Sequence, residues 1–112
     1  MLQRFKQLSL FKKLLVLLGG GILGLLALQI FPAGMLKESF KRPEHNPPLA
    51  NSIEWNSPEA EAIARKACYD CHSHETEWPW YSYIAPLSWI INRDVNNGRT
   101  SLNFSDYDAS AL

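Results

Sequence analysis

Ser57-Pro58-Glu59-Ala60-Glu61-Ala62-Ile63-Ala64-Arg65-Lys66-Ala67-Cys68-Tyr69-Asp70-Cys71-His72 opens as a helix and closes on a chemical motif. Ser57 offers a hydroxyl at the N-cap, Pro58 has the fixed φ suited to the first helical position, and Glu59 puts a negative charge in the first turn. Ala60, Ile63, Ala64, Ala67, Cys68 and Cys71 then recur at three- and four-residue steps, a narrow apolar stripe that ends in two thiols. The spacing predicts a helix carrying both thiols on one face. Its small alanines would let a flat ring approach, and would equally serve ordinary helix packing. A second helix is expected from near Pro86 to Asn97-Gly98, with Leu87, Ile91 and Val95 aligned and Gly98 at the C′ position. No strand pattern or dinucleotide loop interrupts these helices. The fold class read from the sequence is therefore all-α.

Cys68-Tyr69-Asp70-Cys71-His72 spells C-x-x-C-H, the attachment sequence of c-type haem. Two thiols three residues apart on a helical turn can meet the two vinyl groups of one porphyrin, and the imidazole that follows can reach iron as proximal ligand. These are the chain's only two cysteines, so no spare thiol competes. The expectation is one covalent haem c, held by Cys68 and Cys71, with His72 on the iron. Two rivals stay open. A thioredoxin-like redox pair would want a βαβ setting, which is absent. A zinc site would draw on Cys68, Cys71, His72 and His74, but structural zinc sites usually join two separated ligand pairs.

The N-terminus tells where this chemistry takes place. Residues 1–13 carry Arg4, Lys6, Lys12 and Lys13 and no acid, and from Leu14 to Phe31 only Gln29 is polar. That run covers about 27 Å as a helix, enough to span a bilayer. The basic flank keeps the N-terminus cytoplasmic and exports the rest. A cleaved signal peptide needs small residues at −1 and −3, whereas Ala33 follows Phe31 and Gly34 follows Pro32 at that spacing, so an uncleaved transmembrane anchor is expected. Gly20 and Gly24 make a G-x-x-x-G, the spacing that packs one span on another, although glycine is common in spans. The location that follows is a bacterial cytoplasmic membrane, crossed once, with the module facing the periplasm or cell exterior.

Net charge is zero, but residues 1–42 hold seven Lys/Arg against one acid and residues 43–112 hold four against ten, so the halves are near +6 and −6. An acidic module does not bind nucleic acid, whose phosphates need a basic footprint. It suits docking to a basic redox partner protein, or simply keeps a small domain soluble.

Residues 32–56, with Pro32, Pro43, Pro47 and Pro48, read as an extended tether, with Ile53 and Trp55 docking on the module of residues 57–112. Beyond the motif, Trp78, Trp80, Tyr81 and Tyr83 crowd together in a module too small to bury much core unaided. Trp78, Trp80 and Tyr81 are candidates to cover a haem face, and ordinary core packing accounts for them equally. Arg99, and less favourably Arg93, could pair with haem propionates, although such arginines often sit in solvent.

Asn46-Pro47-Pro48, Ala67 to Ser73, Glu75-Thr76, Trp78 to Ser82, Ala85-Pro86, Ser88-Trp89, Asp94-Val95, Gly98-Arg99 and Leu102-Asn103-Phe104-Ser105 together resemble the bacterial haem-binding domain family. The resemblance runs from about His45 to the end. It implies a periplasm-facing c-type haem module, usually anchored by one N-terminal helix and sometimes fused to cytochrome c or cytochrome c peroxidase-like domains. Two departures stand out. Position 74 is His where the family more often has Asn. Relatives continue into a further helix and a Met-Pro segment that resembles a source of the sixth iron ligand, whereas Ser105 to Asp108 makes an S-x-x-D helix start with four residues after it. The chain is accordingly read as cut short at its C-terminus. Met1 and Met35 lie across or beside the span, and His74 is too near His72 to reach the opposite face, so His45 is the first substitute for a distal ligand. A six-coordinate iron favours electron transfer, and an open one binds small molecules. No distal acid–base pair can be assigned, so an electron carrier or haem-binding module is expected rather than an enzyme.

Overall fold

The computed structural model describes residues 9–108. The chain divides into two units, the first ending at Phe31 and the second beginning at Pro32.

The first unit is one helix, α1 (Leu10–Ile30), with no buried residue. Its 21 residues rise about 30 Å, so it is long and apolar enough to cross a membrane. It starts ahead of the expected Leu14 and takes in Lys12 and Lys13, since nothing between Leu10 and Leu14 breaks a helix. Arg4 and Lys6 lie outside the described residues. A helix of this kind near the N-terminus is a signal sequence or a single membrane anchor.

The second unit is built on α2 (Pro58–Ala67), α3 (Tyr69–His72) and α4 (Leu87–Ser101), with 3₁₀ turns at Ala33–Met35, Glu38–Phe40 and Trp80–Tyr83. Among the described residues there is no strand, only an isolated parallel bridge between Asn51 and Asp106. The fold is all-α, as read from the sequence.

Helix α2 starts as its sequence dictates: the Ala60 N–H donates to the Ser57 hydroxyl at 3.3 Å, with Pro58 next in the chain and Glu59 and Glu61 in the first turn. The helix does not run unbroken into the thiols. Cys68 sits at φ −125°, ψ −31°, and the turn restarts as α3, whose Cys71 and His72 N–H groups both donate to the Cys68 carbonyl. The offset turns Tyr69 inward, where its ring stacks on Phe104 at 5.2 Å. Ala64, Tyr69 and Phe104 form the core, with Ile53, Trp55 and Cys68 packed against it. Ile63 and Ala67, expected on the inner stripe, are exposed.

Helix α4 departs from its expected register in two ways. Its buried residues are Ser88, Asn92, Val95 and Gly98, while Leu87 faces outward. It also continues past Gly98 to Ser101 with no left-handed residue. Gly98 is there for proximity. A Cβ built on it would lie 2.8 Å from the Cys71 carbonyl carbon and 3.1 Å from the Cys71 Cβ, so only glycine lets α4 lie against α3 at that point.

Residues 32–56 are not a free tether. Asn92 donates to the Phe40 carbonyl, and Asn96 donates to those of Ser39 and Lys41. The Ile53 N–H donates to the Phe104 carbonyl at 2.8 Å. Proline offers carbonyls but no N–H, and amide side chains of α4 take up carbonyls of this proline-rich stretch. Ile53 and Trp55 dock as expected. The helix start expected at Ser105 is absent over the described residues: Asn51 and Tyr107 instead exchange hydrogen bonds, the Tyr107 N–H donating to Asn51 and the Asn51 amide to the Tyr107 carbonyl.

Candidate functional site

Helix α3 and the Cys68 that caps its start present Cys68, Cys71 and His72, all half-buried, from one short turn. What orients His72 is the chain that returns after α4. The Phe104 N–H donates to the His72 carbonyl at 2.7 Å, and His72 Nδ1 lies 3.0 Å from the Leu102 carbonyl. A carbonyl can only accept, so Nδ1 carries the proton and Nε2 keeps its lone pair.

On one side of α3 the aromatic surface is covered by protein. Tyr69 stacks on Phe104, receives a hydrogen bond from Trp55 Nε1 at 3.1 Å, and is covered by the Arg65 guanidinium 4.5 Å from its ring centre. The other side is open. Cys71 faces a cleft of about 280 Å³ whose apolar wall is Pro79, Tyr81, Ile91 and Val95 and whose polar rim includes Asp70, Glu77 and Asp94. Burial pushes the Cys71 thiol above its ordinary pKa, and the charges of Asp94 and Asp70 add to the shift. Leu87 and Ile90, on the same helix as Ile91, remain 51% and 47% exposed.

The other expected site residues divide. Tyr81 lines the cleft, and Trp80, 75% exposed, meets Tyr81 edge-on at 5.6 Å between ring centres. Trp78 is engaged elsewhere: its Nε1 donates to the His45 carbonyl, and Arg42 lies over its ring. Arg99, expected to meet a propionate, instead donates to the carbonyls of Ser73, Glu44 and His45 and to the side chains of Asn46 and Thr76. Burial lowers its pKa, partly offset by Glu44. Arg93 is paired with Asp94 at 2.7 Å.

His45 Nε2 is hydrogen-bonded to the Tyr83 hydroxyl at 3.2 Å, and its ring packs on Trp78. His74 has both nitrogens committed: Nδ1 donates to the Pro48 carbonyl at 3.0 Å and Nε2 accepts from Asn103 Nδ2 at 2.8 Å. The zinc set of Cys68, Cys71, His72 and His74 is not assembled, and no group of three metal-binding side chains occurs among the described residues. Met35 is exposed, and Met1 lies outside the described residues.

Sequence reasoning missed the Leu102 carbonyl, the Tyr69–Phe104 stack and the packing role of Gly98. A main-chain acceptor has no side-chain signature. The Leu102-Asn103-Phe104-Ser105 stretch, noticed only as part of a resemblance, was the one signal that could have located it.

Comparison with known proteins adds one finding. A family model described as a haem-binding domain matches residues 23–111. No curated protein and no solved structure matches the chain.

Proposed function

The chain belongs to the haem-binding domain family, and from that premise we propose that it is a membrane-anchored, exported c-type haem protein that passes single electrons. Cys68 and Cys71 would hold the haem as thioethers, each thiol adding across a vinyl group, with sulfur bonding one carbon and the proton going to the other. His72 would ligate iron through Nε2. Bound haem supplies a one-electron iron couple whose potential follows its axial ligands and the hydrogen bonds around them.

The observation that carries this reading is the hydrogen bond from His72 Nδ1 to the Leu102 carbonyl. It leaves Nε2 as the only nitrogen able to bind a metal, and it makes the imidazole a stronger donor. Among the described residues the helical setting lacks the βαβ surroundings of a thioredoxin-like dithiol centre, and the engagement of both His74 nitrogens by Pro48 and Asn103 speaks against the zinc set. Pro79, Tyr81, Ile91 and Val95 supply the apolar wall that a porphyrin needs beside Cys71. Trp80, edge-on to Tyr81, and the exposed Leu87 and Ile90 of α4 would extend it, whereas Trp78 and Arg99 bond to residues 44–46. The export direction rests on Lys12 and Lys13 at the start of α1, and the acidic module suits a basic redox partner.

Haem staining on a denaturing gel, after co-expression with a c-type maturation system, tests the attachment. Stain should persist in the wild type and vanish in Cys68→Ala/Cys71→Ala; an unstained, correctly exported wild type sinks covalent haem. A low-spin spectrum with a reversible couple is the expected signature of electron transfer. The state of His45 favours a second reading, because the Nε2 of this candidate for the distal position is engaged by the Tyr83 hydroxyl. In that reading the module binds a small ligand, and a high-spin spectrum that shifts with carbon monoxide is its mark.

A further inference from the structure

We propose that His74 is a positioning residue for His72, acting through Asn103. The inference rests on the haem reading only for its consequence at iron; the positioning itself follows from a continuous chain of hydrogen bonds.

His74 is two residues beyond His72, on backbone that leaves α3 in extended form at Ser73. Its ring is fixed from both ends. Nδ1 donates to the Pro48 carbonyl, and Nε2 accepts from the Asn103 amide. These two bonds require the same neutral tautomer, so the ring reads one donor and one acceptor at once. Its main chain joins in, because the His74 N–H donates to the Ser105 hydroxyl at 2.9 Å. Asn103 is held in turn, since its Oδ1 accepts the Ser105 N–H at 3.0 Å. Residues 103 to 105 are therefore pinned to residue 74 through side chains, and Phe104 is pinned to the His72 carbonyl. Leu102, whose carbonyl takes the His72 Nδ1 proton, is the residue just before Asn103.

Leu102 is also the residue at which α4 ends, in an extended conformation at φ −158°, ψ 125°. On its N-terminal side the Leu102 N–H is held by the Gly98 carbonyl. On its C-terminal side the first side-chain restraint is the Asn103–His74 bond. Release of that bond loosens one end of the peptide that orients the iron ligand, leaving the Phe104 N–H bond to the His72 carbonyl as the nearest remaining restraint. The Asn103–His74, His74–Ser105 and Ser105–Asn103 bonds are part-buried, and linked bonds of this kind support one another.

The first measurement is the ¹⁵N signature of the His72 ring in the full chain in detergent micelles, before haem is attached. Wild type should show the Nδ1–H tautomer. His74→Ala should show a mixture with Nε2–H, and Asn103→Ala should match it. The double variant should add little, since both remove the same link. His74→Gln should restore the wild-type signature, because its amide offers N–H to Pro48 and an oxygen to Asn103.

The second measurement is the midpoint potential of the same proteins carrying stained, covalent haem. Weakening the Leu102 bond makes the imidazole a poorer donor, so the potential should rise in the alanine variants and return in glutamine. A helical His74→Ala or Asn103→Ala protein with an unchanged His72 signature overturns the proposal, as does a glutamine variant no better than alanine. If His74→Ala does not fold, Asn103→Ala, which keeps the Pro48 bond, decides by the same criterion. An unstained wild type with the tautomer response intact supports the positioning role and overturns only the haem reading.

Discussion

The two sides of α3 are finished differently. On the Tyr69 side the protein closes its own surface, with Phe104 stacked on Tyr69, Trp55 bonded to its hydroxyl and Arg65 laid over the ring. On the Cys71 side it builds one wall and stops, leaving a cleft backed by Tyr81 and Ile91 and an α4 flank where Leu87 and Ile90 face outward. The same turn thus has a side that stabilises the fold and a side whose apolar surface has no protein partner of comparable size. A small module with little core of its own is expected to behave this way when a cofactor forms part of its interior. The contrast also explains why His72 is restrained by backbone groups: the returning segment that closes the Tyr69 side is the one that carries the Leu102 carbonyl.

The closed side is broken most severely by Phe104→Ala. Phe104 is buried against Tyr69 and Trp55, and truncating a buried aromatic costs about 3–5 kcal/mol. The value here should fall near the lower end, because Trp55 is only partly buried. Urea denaturation should show that loss, and the His72 ring should lose its single tautomer with it. Next in size is Gly98→Ala. The added methyl meets the Cys71 backbone, which cannot swing away, so about 2 kcal/mol of destabilisation is expected. The effect should appear both in the melting temperature and as poorer haem attachment, since Cys71 itself must shift. A neutral Gly98→Ala would mean that α4 and α3 are not in close contact.

Gly98 shows where sequence reading succeeded and where it misjudged the physics. A glycine after aligned apolar residues looks like a helix stop, and nothing local distinguishes it from a glycine that admits a neighbouring backbone from a segment 27 positions away. Leu87 misled in a related way. The aligned Leu87, Ile91 and Val95 identify an apolar stripe, but the fold buries Ser88 and Asn92 in place of Leu87, because Asn92 and Asn96 are needed to hold carbonyls of residues 39–41. The prolines of that segment suggested a tether for the same reason: its partners are side chains distant in sequence. By contrast, the apolar N-terminal helix, the Ser57 cap and the C-x-x-C-H turn were all legible, since each depends on neighbours within a few residues. Of the site, the motif could be read, and the Leu102 carbonyl that orients His72 could not.

Ser57→Ala perturbs the fold less, and at the far end of the helix that leads to the site. Loss of an N-cap hydroxyl costs about 1 kcal/mol at neutral pH. The Ser57 hydroxyl also donates to Glu59 at 2.7 Å and holds that carboxyl below its ordinary pKa. A depressed folded pKa means that this contribution is present above the unfolded value and is lost as pH falls through the folded one. The stability gap between wild type and Ser57→Ala should therefore narrow on acidification below about pH 4. A gap that stays constant with pH would assign the whole effect to the Ala60 N–H bond.

The smallest effect on the empty fold should come from the open side, and it sharpens the comparison most. Leu87→Ser and Ile90→Ser remove apolar groups that already face solvent, so without haem each should change stability by less than about 0.5 kcal/mol. With haem attached the same positions would lie beside the wall that the porphyrin is proposed to cover, and burying the half of a leucine or isoleucine side chain that is still exposed is worth about 1 kcal/mol. A ligand that binds only the folded state raises the melting temperature in proportion to such contacts, so haem-loaded Leu87→Ser should gain less stability from haem than wild type does. Ile63→Ser is the control, a still more exposed aliphatic residue on α2, and haem loading should raise its melting temperature by the wild-type amount. Equal gains in Leu87→Ser, Ile90→Ser and wild type would mean that the haem does not rest on this flank, and the uncovered surface would then need a different occupant, a lipid face or a second copy of the chain.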